Sequence, residues 1–299
     1  MPYVRTRNIP PWLVLAGGIL AVSTASIFIR HAQASAPSIV IAAWRLTLAT
    51  IILTPIALTR RQGELRRLTR RDLLLALLSG LFLALHFAAW ITSLEYTSIA
   101  SSVVLVTTTP LWVSLASPIL LRERVSRWTW VGMGVALLGG TVVGLSDAGS
   151  AGATGGKNLL FGDLLALFGA WMAACYVIIG RRLRAGVSLV GYTFLVYGMA
   201  AFGLLALLLV AGQPLFGYAP QTYLWFLLLA LIPQLLGHSA FNWALRYLSA
   251  AFTATALLGE PVGSIVLAYF FLSEAPGAIQ LGGAALILAG IAVAGKRET

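Results

Sequence analysis

The second half of the chain repeats the first at an offset of 151 residues. The recurring positions are Gly18, Arg30, Leu94, Tyr96, Pro110, Glu123, Gly132 and Gly139, and their mates are Gly169, Arg181, Leu245, Tyr247, Pro261, Glu274, Gly283 and Gly290. Leucines match by chance in an apolar chain, but arginine, tyrosine, proline and glutamate in one register do not. The sequence therefore predicts a duplicated unit, which in membrane proteins is typical of transporters with a binding site between the halves.

The composition predicts an all-α protein that crosses the membrane many times. Hydrophobic residues make up 59% of the chain and charged residues only 10%, whereas a soluble domain carries about 25% charged residues. Apolar runs of about 20 residues, each long enough to span a bilayer as a helix, recur along the chain. They lie at 12–29, 38–58, 73–94, 98–121, 128–145, 159–180, 188–211, 221–243, 249–272 and 276–295. This pattern predicts ten transmembrane helices, five in each repeat.

The basic residues predict the orientation of these helices. When the loops are assigned alternately to the two sides, one side receives every lysine and arginine except Arg30, Arg45 and Lys157. By the positive-inside rule, this side and both termini are cytoplasmic. The net charge of +11 is therefore attributed to orientation and to contact with the lipid bilayer, and no nucleic-acid partner is expected. Because five is an odd number, the second repeat is inverted relative to the first.

The chain divides into a first repeat at 1–145, a linker at 146–158 and a second repeat at 159–299. The linker is small, polar and rich in glycine, which predicts a flexible external connection. Its Gly155-Gly156-Lys157 resembles a phosphate-binding loop, but Ala151 stands where that loop needs its first glycine, and Asn158 replaces its serine or threonine. No dinucleotide fingerprint or metal-ligand cluster is present, so no cofactor and no metal site are expected.

Glu260 is the acidic residue predicted deepest within a helix. Polar groups inside a membrane segment are costly, so each is a candidate functional residue. Pro261 follows it and removes a backbone donor, which predicts a hinge in helix 9. The glutamate can bind a substrate amine, carry a proton or be held by a neighbouring helix, and the sequence leaves these alternatives open.

The repeat mate of this hinge lies in helix 4. Thr109 precedes Pro110 and corresponds to Glu260, and Ser102 lies seven residues earlier, on the same helical face. Thr253 and Glu260 have the same spacing in helix 9. This shared polar face predicts a lining of the transport pathway, although threonines also bond to the carbonyls of their own helix.

Further polar and aromatic residues occur within the predicted helices 3, 6 and 8. The candidates for substrate or pathway contact are His86, Trp90, Trp171, Tyr176, Gln234, His238, Phe241 and Asn242. Trp90 and Phe241 are repeat mates, so aromatic rings occupy equivalent positions. Two histidines can relay a proton or bind a polar substrate, but packing is an alternative for each of them. Arg45 in helix 2 needs a partner or a route to water, and pairing with Glu260 is one option.

The glycines of helices 5 and 10 predict close helix packing. They include Gly132 and Gly139 in the first repeat and Gly283 and Gly290 in the second. Small residues let membrane helices approach each other closely. Such contacts form within one chain or between two chains, so the sequence is compatible with a monomer and with a dimer.

Several motifs resemble the EamA family of the drug/metabolite transporter superfamily. They are Pro110 with Leu121-Arg122-Glu123, Glu260-Pro261-Val262 with Leu272-Ser273-Glu274, the run from Trp171 to Tyr176, and Trp44-Arg45-Leu46. Helix 1 departs from the family pattern, because Val22-Ser23-Thr24 replaces its usual Trp-Gly-Ser. The resemblance implies ten helices around a central cavity, with helices 3, 4, 8 and 9 near the axis.

The resemblance also implies a function. It suggests a secondary transporter or facilitator in the bacterial inner membrane that exports amino acids or similar small metabolites by alternating access. A multidrug exporter of organic cations is the main alternative, with Glu260 as its acidic site. An enzyme is disfavoured, because its converging acids, histidines or metal ligands are missing from the pattern. A channel would not need an inverted repeat.

Overall fold

The computed structural model describes residues 10–97, 99–150, 158–272 and 275–297. These residues form helices and turns, and no strand occurs among them. The prediction of an all-α membrane protein is confirmed. Residues 151–157 of the predicted linker, together with Ser273 and Glu274 of one family motif, lie outside the described residues.

Ten helical segments follow one another along the described chain, with a short helix at Gln62–Arg67 between the second and third. Helix 1 comprises Pro11–Ser23 and Ala25–Gln33, helix 2 is Ser38–Arg60, helix 3 is Arg70–Tyr96, helix 4 comprises Ile99–Val106 and Thr109–Leu120, and helix 5 is Arg127–Ser150. Helix 6 is Leu159–Arg184, helix 7 is Leu189–Val210, helix 8 comprises Pro220–Leu229, Ala230–His238 and Ser239–Ala244, helix 9 comprises Ala250–Ala256, Leu257–Gly259 and Glu260–Leu272, and helix 10 is Ala278–Ala294.

Nine of these described segments are long and apolar enough to cross a membrane. Helix 10 is apolar but has 17 residues, which corresponds to about 25 Å at the usual rise of an α-helix. A 3₁₀ turn at Gly295–Arg297 follows it. The predicted number of ten helices is therefore present, with the last one shorter than the others.

Polar residues fix several helix starts on their own turns. Thr69 begins helix 3 as a capping box, in which its hydroxyl accepts a hydrogen bond from the Asp72 amide at 3.1 Å. Asn158 caps helix 6 through the Phe161 amide at 3.1 Å. Ser249 caps helix 9 through the Phe252 amide at 3.2 Å. These caps satisfy amide donors that the first helical turn leaves unpaired.

Helices 4 and 9 are interrupted at repeat-related positions. Helix 4 resumes at Thr109 and helix 9 resumes at Glu260, and each new segment carries a proline at its second residue, Pro110 or Pro261. Proline lacks the amide hydrogen that a continuous helix would need there, and it fits the first turn of a new helix. The hinge prediction is consistent with these interruptions, although the sequence predicted helices 4 and 9 as continuous ranges at 98–121 and 249–272.

Helices 1 and 8 are irregular at positions where their repeat mates are regular. Helix 1 divides at Thr24, whereas helix 6 continues without a break. Helix 8 contains the π-helical stretch Ala230–His238, with Pro233 inside it. Proline has no amide hydrogen to donate, and the widened π-helical turns accommodate the missing hydrogen bond. Helix 3 has no proline at the equivalent position and stays α-helical.

Helices 5 and 10 pack against each other through their glycines. A Cβ atom on Gly139 would lie 2.6 Å from the Gly283 carbonyl oxygen, and one on Gly290 would lie 2.5 Å from the Gly132 carbonyl oxygen. The pseudo-twofold relation exchanges these two contacts, because it carries Gly139 to Gly290 and Gly132 to Gly283. Of the two alternatives, these glycines make the contact within one chain.

The two repeats also exchange helix partners. Helix 1 packs on helix 8, where Gly18 meets Gly237, Ala240 and Phe241. Helix 6 packs on helix 3, where Gly169 lies against the backbone of His86 and Trp90. The offset of 151 carries Gly18 to Gly169 and Phe241 back to Trp90. Each repeat therefore contributes its first helix to the other, so the centre is built from both halves.

Candidate functional site

Arg45 is the centre of a buried polar cluster between helices 2, 3, 8 and 9. Its side chain is only 1% exposed. The guanidinium Nε donates a hydrogen bond to Gln234 Oε1 at 2.8 Å, and its Cζ lies 4.4 Å from the centre of the Phe87 ring. We call Arg45, His86, Trp90, Gln234, His238 and Glu260 the central cluster. The polar groups of these side chains lie within apolar helices, where burying each of them costs free energy.

The central cluster contains one histidine from helix 3 and one from helix 8. His86 donates from Nδ1 to the Gly169 carbonyl at 3.0 Å, which leaves Nε2 of the neutral ring as an acceptor. Its ring stacks on Trp90 with a centroid distance of 5.9 Å. His238 meets the Phe87 ring edge-on at 5.4 Å. Both histidines lie within electrostatic reach of Arg45 and are half-buried.

Glu260 begins the last segment of helix 9, and its side chain is half-buried. Glu260 interacts electrostatically with Arg45. The two side chains do not form an ion pair, because the pairs within 4.0 Å among the described residues are Arg61–Glu64 and Arg181–Glu123. Pairing of Glu260 with Arg45 by direct contact is therefore absent from this conformation. The Glu260 main-chain carbonyl accepts a hydrogen bond from Ser23 Oγ at 2.9 Å, so the helix 9 break is attached to helix 1.

Three donors of the central cluster are buried without a hydrogen-bond partner among the described residues. They are Arg45 Nη1, Gln234 Nε2 and Trp90 Nε1. A buried donor without a partner costs free energy, so native structures rarely leave several of them in one place. The cluster therefore has unused capacity to bind an acceptor.

Tyr176 and Asn242 belong to a buried network beside the central cluster. The Tyr176 hydroxyl donates to Asn242 Oδ1 at 2.8 Å, and Asn242 Nδ2 donates to the Tyr197 hydroxyl at 3.3 Å. Tyr197 in turn contacts Ser239 Oγ at 3.4 Å and the Gln234 carbonyl at 3.5 Å. The network holds helices 6, 7 and 8 together directly behind Gln234.

Four predicted site residues do not face the central cluster. Ser102 is fully buried against Ser93 at 2.6 Å, and Thr109 donates to the Val106 carbonyl of its own helix at 2.8 Å. Phe241 packs with the apolar residues of helix 1. Trp171 is 41% exposed, because it continues the outward stripe of Leu160, Leu164 and Phe168 at helical spacing. Its ring contacts Trp112 at 5.5 Å.

Sequence reasoning missed two residues that support the cluster. The Phe87 ring contacts both the Arg45 guanidinium and the His238 ring, and its side chain is fully buried. Tyr197 reaches Gln234 from helix 7. The hydroxyl of Tyr197 in a largely apolar helix was a signal that could have identified it. Phe87 gives no comparable signal, because a phenylalanine is ordinary in a membrane helix.

A second polar contact joins the helix ends at one end of the bundle. Arg181 Nε donates to Glu123 Oε1 at 2.5 Å, and its Nη1 donates to the Leu245 carbonyl at 2.6 Å. Glu123 Oε2 accepts a hydrogen bond from the Ala250 amide at 3.2 Å. We call these four residues the basic-end latch. It ties the end of helix 4 to helices 6, 8 and 9, whereas the repeat mate of Arg181, Arg30, is exposed.

The described residues contain no group of three or more histidines, cysteines or acidic residues that would hold a metal ion. The central cluster instead offers guanidinium, amide, indole, imidazole and carboxyl groups, all of which make reversible hydrogen bonds. Their arrangement is suited to binding a small polar molecule in reversible contact.

Comparison with known proteins identifies relatives over almost the whole chain. A sequence model of the EamA-like transporter family matches residues 10–145 and 160–295, one match in each half. An uncharacterized transporter of Clostridium kluyveri is 26% identical over 231 residues, which cover 76% of this chain and 73% of that protein. The uncharacterized transporter YetK of Bacillus subtilis is 24% identical and covers 61% of this chain and 59% of its own length.

Two further comparisons agree with these. An uncharacterized transporter of Archaeoglobus fulgidus is 24% identical over 215 residues, which cover 72% of this chain and 74% of that protein. A solved crystal structure superimposes with a TM-score of 0.76 at 22% identity, and the alignment covers 95% of this chain and 96% of that one. At this identity the structural likeness establishes a shared fold.

Proposed function

Because the chain belongs to the EamA-like transporter family, we propose that it is a secondary transporter or facilitator that exports amino acids and related small metabolites. Membership of this family identifies the chain as a multi-pass membrane transporter. The substrate class and the direction of transport are the proposed part. Alternating access about the pseudo-twofold axis is the proposed mechanism.

The observation that carries this proposal is the pair of interrupted helices. Helices 4 and 9 break at positions related by the repeat, and the second segments start at Thr109 and Glu260. Interrupted helices at the centre of an inverted repeat are the usual place where a transporter binds its substrate. Each break also provides a hinge about which the two segments of a helix can move relative to each other.

The central cluster supports a small substrate with both polar and apolar parts. Glu260 offers a carboxyl group, His86 and His238 offer ring nitrogens, and Trp90 offers an aromatic face. A carboxylate binds a substrate ammonium group, or it carries a proton that couples export to the proton gradient. All four side chains are half-buried, although their helices are apolar. Partial access at such depth fits a binding site between the helices.

The basic-end latch supports a closed state at one end of the bundle. Glu123 comes from the first repeat, whereas Arg181 and the Leu245 carbonyl come from the second. Breaking this latch would let the two repeats separate at that end. The arginine-rich loops favour a cytoplasmic position for this end in a bacterial inner membrane, with both termini on the same side.

The test is transport by the purified full chain in proteoliposomes. Uptake of a panel of labelled amino acids is measured with and without an imposed pH gradient. Saturable uptake of a few amino acids is the expected result, and acceleration by the gradient identifies proton coupling. Absence of uptake for the whole panel, with the protein correctly folded and inserted, would falsify the proposed substrate class.

A multidrug exporter is the second candidate, because a half-buried acidic side chain such as Glu260 also suits organic cations. Labelled tetraphenylphosphonium in the same vesicles distinguishes the two functions. Uptake of this cation without uptake of any amino acid would favour the multidrug function. The buried arginine beside Glu260 opposes a second positive charge, which is why amino acids are the first choice.

A further inference from the structure

Arg45 is a buried cation that lacks an anionic contact in this conformation. Among the described residues no carboxylate oxygen lies within 4.0 Å of its guanidinium. Its contacts are neutral: the Gln234 side-chain oxygen at 2.8 Å and the Phe87 ring at 4.4 Å. A charged side chain inside a membrane protein normally pairs with an opposite charge, so an anion is the missing partner.

The unpartnered donors on this pair identify where that anion would bind. Arg45 Nη1 and Gln234 Nε2 are both buried, and neither has a hydrogen-bond partner within the described part of the chain. Because Gln234 uses Oε1 to accept from Arg45, its amide nitrogen is left to donate elsewhere. This hydrogen-bonded pair of residues therefore leaves one guanidinium nitrogen and one amide nitrogen free to donate. This combination suits an oxyanion, and a carboxylate in particular.

The surrounding charges favour a carboxylate that belongs to a zwitterion. Glu260 lies within electrostatic reach of Arg45 without touching it. An anionic group held by Arg45 and a cationic group held toward Glu260 would align head to tail with the charges of the protein. A simple organic cation would leave the donors of Arg45 and Gln234 unused.

We propose that Arg45 and Gln234 form a carboxylate subsite that selects substrates with a free acid group. This inference rests on the proposed export function and specifies how the substrate is recognised. In the bound state, Arg45 Nη1 and Gln234 Nε2 donate to the substrate carboxylate, while the Tyr197 hydroxyl donates to the Gln234 main-chain carbonyl at 3.5 Å. The subsite accounts for the fully buried arginine and for two of the three unpartnered donors.

The experiment compares acids with their amides. Inhibition of labelled L-leucine uptake is measured with unlabelled L-leucine and leucinamide, and the measurement is repeated with L-phenylalanine and phenylalaninamide. The proteins are the full chain, Arg45→Gln, Arg45→Lys and Gln234→Glu, with Tyr192→Phe as the control. Tyr192 is a buried residue whose hydroxyl contacts Ser79 at 3.0 Å outside the central cluster, so its variant tests the effect of losing an unrelated buried hydrogen bond.

The unmodified chain should prefer acid over amide, and Arg45→Gln should lower that preference by about tenfold to a hundredfold. Arg45→Lys should fall between them, because lysine keeps the charge but loses the planar fork. Tyr192→Phe should keep the preference. An unchanged acid-to-amide ratio in folded Arg45→Gln overturns the subsite while leaving the transport function intact.

Gln234→Glu separates binding from structural support. The new carboxylate would pair with Arg45 and satisfy its charge, so a purely structural role predicts normal folding and normal uptake. The subsite predicts normal folding with loss of acid uptake, because the glutamate occupies the place of the substrate carboxylate. Normal acid uptake by this variant overturns the proposal. Uptake of tetraphenylphosphonium without amino-acid uptake in the unmodified chain instead overturns the amino-acid transport on which the proposal rests.

Discussion

The interruptions of helices 4 and 9 share a backbone plan but differ in chemistry. Both helices resume at repeat-related residues, Thr109 and Glu260, each followed by proline. In helix 4, three successive threonines bond to carbonyls of the preceding turn, and Thr109 does so at 2.8 Å. In helix 9, the main chain at the break is bound from outside by Ser23, and the side chain reaches the central cluster.

The difference indicates how a duplicated fold can separate helix movement from substrate recognition. Both breaks can act as hinges, because proline interrupts the helix in each repeat. The threonine hydroxyls of helix 4 donate to main-chain carbonyls of their own helix and leave little polar capacity for a ligand. The carboxyl group of helix 9 keeps its polar capacity. We therefore expect substitutions at the two breaks to have unequal effects on transport.

The largest effect is expected for Glu260→Gln. This variant removes the ionisable group but retains its shape, so a proton-driven cycle should be abolished. Loss of a charged hydrogen bond to substrate would lower facilitated uptake by about tenfold or more. The measurement is initial uptake in proteoliposomes with and without a pH gradient. Full gradient-dependent uptake would exclude the proposed role of Glu260 in coupling.

The second effect concerns the symmetric contact of helices 5 and 10. Gly139→Ala and Gly290→Ala should each destabilise the protein by about 1–3 kcal/mol, because the new methyl groups would overlap a facing carbonyl oxygen. Thermal unfolding in detergent measures the loss. Gly140→Ala is the matched control, since no atom lies within 4 Å of its Cβ position. Equal stability of all three variants would argue against the close packing of these helices.

A smaller effect should reveal where the repeats are not equivalent. A Cβ on Gly18 would lie 2.7 Å from the Ala240 Cβ, whereas the nearest atom to a Cβ on its mate Gly169 lies at 3.4 Å. Gly18→Ala should therefore destabilise by about 1 kcal/mol, since the helices must shift. Gly169→Ala should be neutral or slightly stabilising, because alanine favours the helix. The same thermal measurement serves, and equal losses at both sites would contradict the asymmetry.

The smallest effect is expected for Thr109→Val. This change removes a hydroxyl that bonds mainly to its own helix, so the loss of stability should stay below about 1 kcal/mol. Uptake of amino acids should remain within about twofold of the unmodified chain, because the bond removed is a weak local one. A severe transport defect here would place helix 4 in substrate contact and remove the proposed contrast with Glu260.

The sequence predicted much of the helical plan and part of the site. Helix 2 begins at the predicted Ser38 and helix 6 at the predicted Leu159. Periodicity and length identify apolar helices well, because each span must satisfy its own backbone hydrogen bonds. The interruptions were less visible, since a proline signals a weak point but not whether the helix bends, widens or breaks. Five residues of the central cluster were predicted as site residues, whereas Arg45 was predicted only to need a partner or a route to water.

The sequence alone determined the duplicated, all-helical membrane architecture, because hydrophobicity, repeat register and charge are properties of the chain itself. Only the tertiary structure decided which polar residues meet. Arg45 and Gln234 are separated by most of the chain, yet their side chains are in contact at 2.8 Å. Trp171 and Tyr176 share one helix, but one faces outward and the other is buried. Such choices depend on helix rotation and neighbour packing, which a single helix pattern does not encode.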